Sequence, residues 1–296
     1  MNNAGKNMYE KLTIRDKFMF GKVTKNPVIA QKMADLLTPV EIGEVKGVER
    51  EKFLQHRSSS KYVKLDMYLE DENGRVVDTE MQNKSQNKVV QEELPLRVRY
   101  YQGMIDQEIL SSGTDYIFLK ETYIIFICTY DPFQKGRYVY HFHMACDEDE
   151  EIQLQDKMNW IFYNTTADLS EAPEGIREFL TYVENETVDG DFTKLLDKEV
   201  KNARLNEDWR SEYLKTYVND MDMRREGYVE GEKRGRAEGE KRGRAEGEKL
   251  GRAEGEKRGR IEGEKLGAEA MQNKLLQKLM ETQKITEAEA KKMLGI

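Results

Sequence analysis

The chain has 296 residues and a formal net charge of −8, with 35% charged and 38% hydrophobic residues. Its two cysteines, Cys128 and Cys146, are too few for a disulfide framework, and no apolar run reaches the roughly 18 residues of a membrane-spanning helix. No apolar segment of the signal-peptide type stands at the N-terminus. We therefore expect a soluble cytoplasmic protein with free thiols and no membrane contact.

The charge is distributed unevenly along the chain. From Gly227 onward there are 17 Lys/Arg and 14 Asp/Glu residues, so this tail carries +3 and the preceding body carries −11. An acidic body disfavours a general nucleic-acid-binding surface. Any contact of the body with DNA is therefore expected to be local and assisted by a metal ion.

Two short helices followed by a strand are predicted at the start of the chain. Residues from Thr13 to Leu37 have helical apolar spacing, which Asn26-Pro27 interrupts. Proline is excluded from helix interiors but favoured in the first turn, so a second helix should begin there. A strand is predicted from Val45 to Phe53.

The next two segments predict a β-hairpin. YVKLDMYLE, ending at Glu70, and RVVDTEMQ, from Arg75 to Gln82, are rich in β-branched and aromatic residues and flank the turn sequence Asp71 to Gly74. Alternation along the strands predicts one apolar and one polar face. The predicted apolar face consists of Val63, Leu65, Met67, Leu69, Val77, Thr79 and Met81.

The length of the turn decides which polar residues face each other. A two-residue loop would mix the two faces, whereas a three-residue loop ending with Gly74 in the left-handed conformation keeps them separate. The second arrangement is therefore predicted. It places Asp66 opposite Glu80, and Lys64 opposite Gln82.

The pair Asp66 and Glu80 predicts a divalent-metal site. Opposed residues on one face of a hairpin have Cβ atoms about 4.5–5.5 Å apart, and two carboxylates at that distance repel unless they share a proton or a cation. Mg²⁺ prefers such oxygen ligands and keeps several waters, and Mn²⁺ is a possible substitute. The alternative from spacing alone is an ordinary solvated polar face.

The remainder of the body predicts an α/β fold, with a mixed β-sheet flanked by helices. The run TYIIFICTY, from Thr122 to Tyr130, is apolar enough for a buried central strand. The other predicted elements are a helix from about Val89 to Leu110, a strand in RYVYHFHMA from Arg137, and helices at Pro173 to Glu184 and Thr193 to Asn219.

The tail carries a repeat in which glycine falls at every fourth position, eleven times from Gly227 to Gly267. As a helix it would contain Glu-to-Arg pairs four residues apart, such as Glu230 with Arg234. Eleven glycines cost roughly 10 kcal/mol relative to alanine, and each ion pair returns only about 0.2–0.5 kcal/mol. Two alternatives remain open: a helix that self-associates through its glycines, and a flexible charged spacer.

These changes in composition define the predicted organisation. A first domain occupies residues 1–190, a helical connector 191–226, the repeat 227–268, and a C-terminal helical hairpin 269–296. Thr286 and Glu289 form the capping box of the last helix. We expect the chain to form a homo-oligomer through this tail.

Several segments of the body together resemble one known family. They are DKFMFGKV from Asp16, the Lys64-Leu65-Asp66 and Glu80-Met81-Gln82 triplets, LPLRVRYYQGMID from Leu94, GTDYIFLKETYIIFI from Gly113, and DPF followed by YVYHF. In this order, over about Ile14 to Glu184, they resemble the recombination-promoting nuclease and transposase family of the PD-(D/E)XK nuclease superfamily. The resemblance implies a restriction-endonuclease-like core in residues 1–190, with Mg²⁺-dependent cleavage of DNA phosphodiesters linked to mobile elements or to defence against foreign DNA.

The resemblance also implies roles for particular residues. Asp66 and Glu80 match the two metal-binding acids, and Asp16 matches an acid that approaches the metal from the first helix. Gln82 stands where most of the superfamily has lysine, and a neutral amide can orient a water but cannot stabilise charge as an ammonium does. The predicted register offers Lys64 as a replacement cation. For Asp16 the alternative is an ordinary carboxylate at a helix start.

Arg97 and Tyr101 are predicted to contact DNA, because they share one face of the helix after the hairpin and combine a cation with an aromatic ring. Lys84 would extend this basic rim. The leading prediction is thus a metal-dependent DNA endonuclease. The alternative is a catalytically weakened protein that keeps the nuclease fold and acts as a DNA- or protein-binding assembly module through its tail, which Gln82 and the acidic body favour.

Overall fold

The computed structural model describes residues 8–55, 61–83, 92–110, 112–149 and 151–296, without the side chains of Arg50 and Glu51. The chain forms two compact units, Met1–Tyr217 and Val218–Ile296. The β-sheet and the helices that cover it belong to the first unit.

Two capped helices open the first unit, as predicted. Helix α1 spans Lys17–Val23 and α2 spans Pro27–Leu37. The carboxylate of Asp16 accepts hydrogen bonds from two backbone N–H groups in the first turn of α1, and the Asn26 side chain caps α2 in the same way. These side chains satisfy donors that a helix start leaves unpaired, so the break between the helices follows from local chemistry.

Six strands form one mixed sheet. Their bounds are β1 Val45–Leu54, β2 Val63–Asp71, β3 Val76–Gln82, β4 Thr122–Cys128, β5 Val139–Phe142 and β6 Met158–Asn164. The spatial order is β1-β2-β3-β4-β6-β5. The β3–β4 and β4–β6 pairs are parallel and the other pairs are antiparallel. The prediction of an α/β fold with a mixed sheet is confirmed.

The remaining helices are α3 Leu94–Ile109, α4 Glu174–Asn185, α5 Asp191–Leu205, α6 Glu207–Gln283 and α7 Glu287–Leu294. The range from Thr193 to Asn219, predicted to be helical, is covered by α5 and the start of α6, which Asn206 separates. The backbone of Asn206 is extended, and its side-chain oxygen accepts a hydrogen bond from the N–H of Trp209. An asparagine that caps the following helix interrupts a pattern that is otherwise continuous.

Helices cover both faces of the sheet. On one face the core contains Met19 and Phe20 from α1, Ile29 from α2, Leu180 from α4 and Leu196 from α5. On the other face α3 supplies the covering side chains. A parallel strand that is buried on both sides is expected to be apolar throughout. Polar residues in the middle of such a sheet therefore require a specific explanation.

The hairpin register is the predicted one. Met67 pairs with Thr79, and the ladder extends from there toward the turn. The N–H of Asp71 donates to the carbonyl of Arg75, which leaves a three-residue loop, and Gly74 at its end has a φ of 79°. The turn chemistry therefore predicted the register correctly.

The single apolar face predicted for the hairpin is wrong. Val63 and Leu65 pack in the core beneath α3, whereas Met67 and Leu69 pack in the core on the opposite side of the sheet. All seven residues of β3 are buried. The full burial of β3 follows from the helices on the two faces of the sheet, which leave this strand no face in contact with solvent.

In the second unit the glycine repeat is helical throughout, within the single helix α6. A Cβ added at any glycine from Gly227 to Gly267 would meet nothing within 4 Å. Glu230 pairs with Arg234 as predicted, whereas Arg236 pairs with Glu240, four residues after it. The capping box of Thr286 and Glu289 is present at the start of α7.

Within the described part of the chain, no helix is both long enough and apolar enough to cross a membrane. Cys128 and Cys146 are both free thiols, as expected, and Cys128 is buried.

The turn conformation leads to a stability prediction. We expect Gly74→Ala to lower the free energy of unfolding by about 1–2 kcal/mol, because a Cβ is disfavoured in left-handed backbone. Gly74→Asn should cost less, since asparagine tolerates that region. Urea unfolding followed by fluorescence of Trp160 and Trp209 measures the effect.

Gly47→Ala is the matched control, because Gly47 lies on β1 with open space around it and without a positive φ. Equal stability changes for Gly74→Ala and Gly47→Ala would contradict the role of the turn.

Candidate metal centre

Two carboxylates lie side by side where the β2–β3 ladder stops. The last pair of the ladder is Met67 with Thr79, and the next residues are Asp66 and Glu80. Here side chains replace backbone partners: the N–H of Asp66 donates to Glu80 Oε1 at 2.7 Å, and the N–H of Met81 donates to Asp66 Oδ2 at 3.2 Å. Each acid is thus fixed by the backbone of the other strand.

A lysine from helix α1 bridges the two acids. Lys17 Nζ lies 3.1 Å from Asp66 Oδ2 and 3.5 Å from Glu80 Oε2. Asp66 is only 7% exposed and Glu80 is fully buried, whereas the Lys17 side chain is 49% exposed. The ammonium therefore occupies the position of a cation shared by two buried carboxylates.

Burial dominates the protonation of this cluster. Burial, followed by the charge of Asp66, raises the pKa of Glu80 to about 7. The pKa of Asp66 is also raised by burial, although Lys17 opposes the shift. Burial lowers the pKa of Lys17, but the two carboxylates outweigh it and the net shift is upward. The cluster is an acid pair that Lys17, and to a smaller extent Arg97, compensate only in part.

A third carboxylate, Asp78, lies two residues before Glu80 on β3 and is completely buried. Among the described residues neither of its oxygens has a hydrogen-bond partner. Burial, and then the charges of Glu80 and Asp66, raise its pKa well above the usual range. Burial of a carboxyl group without a partner therefore favours its neutral form.

Gln82 is bound to the helix that covers this face of the sheet. Arg97 donates from one terminal nitrogen to Gln82 Oε1 at 2.8 Å and from the other to the Tyr101 hydroxyl at 3.1 Å. Its guanidinium carbon is 5.5 Å from the ring centroid of Tyr101 and 5.6 Å from that of Phe126. Arg97 also approaches Glu80 Oε2 to 4.0 Å. The structure therefore brings Gln82, Arg97 and Tyr101 together beside the acid pair.

Asp16 caps the N-terminus of helix α1. Its Oδ1 accepts hydrogen bonds from the N–H groups of Phe18 at 2.9 Å and Met19 at 3.3 Å. Burial raises the pKa of Asp16, and the charge of Asp66 acts in the same direction. Asp16 is thus a helix cap that lies within electrostatic reach of the acid pair.

Lys64 and Lys84 are the two other basic residues predicted for this region. Lys64 is exposed and lines a cavity together with Arg97 and Tyr101. The role of Lys64 as a replacement cation beside Gln82 stays a prediction. Arg97 donates a hydrogen bond to the amide oxygen of Gln82. Lys84 lies outside the described residues.

The solvated polar face, which was the alternative prediction for this hairpin, is wrong. Asp78 and Glu80 are completely buried and Gln82 is 6% exposed. Sequence reasoning also missed Lys17 and the full burial of Asp78. Lys17 directly follows Asp16 in the DKFMFGKV segment, and Asp78 alternates with Glu80 on one strand, but neither the contact of Lys17 nor the burial of Asp78 follows from these local patterns.

The donor set fits a divalent cation with few protein ligands. Across the described ranges no group of three or more His, Cys, Asp or Glu side chains is arranged to hold a metal ion. Mg²⁺ commonly binds through one or two carboxylates and completes its shell with waters and substrate phosphate. Asp66 and Glu80 suit this mode, because their oxygens already share one cationic group.

The fold and site define an α/β protein with helices on both faces of a mixed sheet and a buried carboxylate pair on two adjacent strands. A family model described as PD-(D/E)XK nuclease family transposase matches residues 16–175, which is more than half of the chain. The chain belongs to this family, which confirms the resemblance in the sequence. No curated protein and no solved structure matches the chain.

The burial of Glu80 leads to a pH prediction. Its pKa is about 7 in the folded protein against an ordinary 4.5, so the folded state binds the proton more tightly. Without metal, this group should stabilise the fold below pH 4.5, and that stability should be lost as the pH rises toward 7. We expect Glu80→Gln to lose less stability than the parent between about pH 5 and about pH 7.5.

Urea unfolding in the presence of EDTA at the two pH values measures the difference. Glu72→Gln is the control, because Glu72 is an exposed acid on the turn of the same hairpin. Parallel losses in the parent and Glu80→Gln would contradict a raised pKa at Glu80.

Proposed function

We propose that this protein is a divalent-metal-dependent DNA endonuclease that hydrolyses phosphodiester bonds, linked to mobile elements, recombination or defence against foreign DNA. The observation that carries the proposal is the buried Asp66–Glu80 pair with a single cation between its carboxylates. Two desolvated acids are costly to maintain unless a cation compensates them. Membership of a family named for its nucleases supplies the reaction class.

In this proposal Asp66 and Glu80 hold Mg²⁺, or Mn²⁺ in its place. The bound ion would supply Lewis-acid chemistry, neutralising the scissile phosphate and lowering the pKa of a water. The half-exposed Lys17 can turn from the carboxylates toward the phosphate, and so supply an ammonium that Gln82 lacks. Asp16 fixes the start of α1 and thereby positions Lys17.

Gln82 and Arg97 act together in the proposed mechanism. Gln82 orients the attacking water through its amide, and the guanidinium of Arg97 holds that amide through Oε1. Arg97, supported by the Tyr101 hydroxyl, also contributes positive charge for a DNA phosphate. Lys64 and Lys84 are proposed to extend the basic rim.

The competing function is a catalytically weakened nuclease fold that binds DNA or protein and assembles through its tail. Gln82 in place of lysine favours it, and so does the exposure of α6, in which Leu276 is the one buried residue. Formation of a homo-oligomer through this tail stays a prediction.

Asp66 provides the direct test of nuclease function. We expect the parent protein to nick supercoiled plasmid with Mg²⁺ or Mn²⁺, and Asp66→Asn to lower the rate by at least about 100-fold, because it removes a ligand charge. Gel electrophoresis of the plasmid measures the rate. Glu72→Gln on the same hairpin should match the parent.

Metal-independent nicking, or nicking that survives Asp66→Asn, would defeat the proposal. Absence of nicking by the parent protein, together with retained binding to DNA, would favour the catalytically weakened alternative.

The contact between Gln82 and Arg97 leads to a second kinetic prediction. A lysine at position 82 would face the guanidinium of Arg97, so we expect Gln82→Lys alone to slow plasmid nicking roughly tenfold or more through like-charge repulsion. The double variant Gln82→Lys/Arg97→Gln exchanges the two groups and should regain part of the rate. Arg97→Gln alone is the reference. A double variant no faster than Gln82→Lys would show that the two positions are not coupled in this way.

A further inference from the structure

A cavity of about 420 Å³ lies between the start of β2 and helix α3, and shares Arg97 with the metal centre. We call this cavity the tyrosine groove. Its walls include Lys61, Tyr62, Lys64, Arg97, Tyr100 and Tyr101. The volume falls within the roughly 300–1,000 Å³ range of sites for small molecules and cofactors.

Aromatic rings are held open to solvent at this groove. Tyr62 is 56% exposed, and its ring stacks on that of Phe53 at a centroid distance of 4.9 Å and an angle of 28°. Phe53 is itself 56% exposed. Tyr100 is 38% exposed, and its hydroxyl donates to the carbonyl of Lys61 at 2.6 Å. Fixed and exposed rings provide stacking surfaces that need little reorganisation on binding.

The charge of the groove is opposite to that of the body. Among the described residues that line it, three are cationic, Lys61, Lys64 and Arg97, and one is acidic, Glu93. The body as a whole carries −11. A local excess of cations beside aromatic rings complements a ligand that combines phosphates with flat bases.

Arg97 connects the groove to the proposed chemistry. It lines the groove, donates to Gln82 and lies 4.0 Å from Glu80. A DNA strand with one phosphate at the acid pair would therefore place a neighbouring nucleotide at the groove. Bases within a duplex already stack on each other and present only their edges, whereas an unpaired base presents its face to an aromatic ring.

We propose that the tyrosine groove binds an unpaired nucleotide next to the scissile phosphate, so that the protein acts on single-stranded, frayed or flapped DNA in preference to intact duplex. This inference rests on the proposed function, since it takes DNA as the substrate. Stacking on an aromatic ring stabilises each bound base, so loss of one ring should weaken binding roughly tenfold.

Binding can be measured separately from cleavage. The probe is a fluorescein-labelled oligothymidine of about 12 nucleotides, within the site sizes common for single strands. Fluorescence anisotropy with full-length Asp66→Asn protein in EDTA gives the affinity, and a labelled duplex of equal length is the comparison. We expect the single strand to bind at least about tenfold more tightly than the duplex.

Tyr62→Leu tests the stacking surface, because it keeps an apolar side chain and removes the ring. We expect it to weaken single-strand binding about tenfold and to leave duplex binding unchanged. Tyr116→Leu is the matched control, since Tyr116 is 84% exposed and does not line the groove. Tyr100→Phe keeps the ring, loses only the bond to Lys61, and should retain most of the affinity.

Two results would overturn the inference: equal affinity for single strand and duplex, or unchanged single-strand binding by Tyr62→Leu. Urea unfolding of Tyr62→Leu shows whether the variant is folded, and Tyr62→Phe, which restores a ring, should restore binding. If plasmid nicking requires Asp66 but Tyr62→Leu leaves single-strand binding unchanged, the groove inference is rejected and the nuclease proposal stands. Groove-dependent binding without nicking would reject the nuclease proposal and keep the groove as a binding site.

Discussion

The burial of three carboxylates in the middle of the sheet is the constraint on which the rest of the site depends. Asp66, Asp78 and Glu80 lie within two adjacent strands and are withdrawn almost completely from water. A carboxylate in such surroundings must be neutral, hydrogen-bonded or paired with a cation. All three effects are present: burial raises the pKa of Asp78 and so favours its neutral form, the backbone of the opposite strand donates to Asp66 and Glu80, and Lys17 pairs with both.

The cations that serve this cluster come from opposite layers of the fold. Lys17 stands on α1, which packs in the core on one side of the sheet, and Arg97 stands on α3, which packs on the other. They can reach the same pair of acids because the β2–β3 ladder ends at Met67 and Thr79. The end of the ladder is therefore what connects the two helical layers at one point.

The sequence predicted the features that local rules govern. The turn from Asp71 to Gly74 determined the hairpin register, and the Asn26-Pro27 break and the capping box of Thr286 marked helix starts correctly. Asn206 shows the limit of the same rule, because a capping asparagine within a helical pattern looks no different from an exposed helix residue. Turns and helix ends can therefore be predicted from the sequence where one residue type is strongly preferred at a position.

Features that depend on packing could not be predicted in the same way. The pairing of Lys17 with Glu80 joins residues 63 positions apart in the chain, and nothing in the local pattern sets their distance. Alternation suggested a polar face for β3, but whether that face meets solvent depends on where α3 lies. Family resemblance identified Asp66 and Glu80 as partners, yet the neighbours that determine their protonation emerge only from the folded structure.

The helical repeat of the tail has a geometric consequence for contacts between helices. Four residues advance an α-helix by about 400°, which is about 40° more than one turn, so the row of glycines winds around the axis. Over the eleven glycines from Gly227 to Gly267 it passes through slightly more than a full revolution. A straight helix contacts a sector of about 100°, and would therefore meet about three consecutive glycines before longer side chains separate the two backbones. Close backbone contact along the whole repeat would require a partner that coils around it.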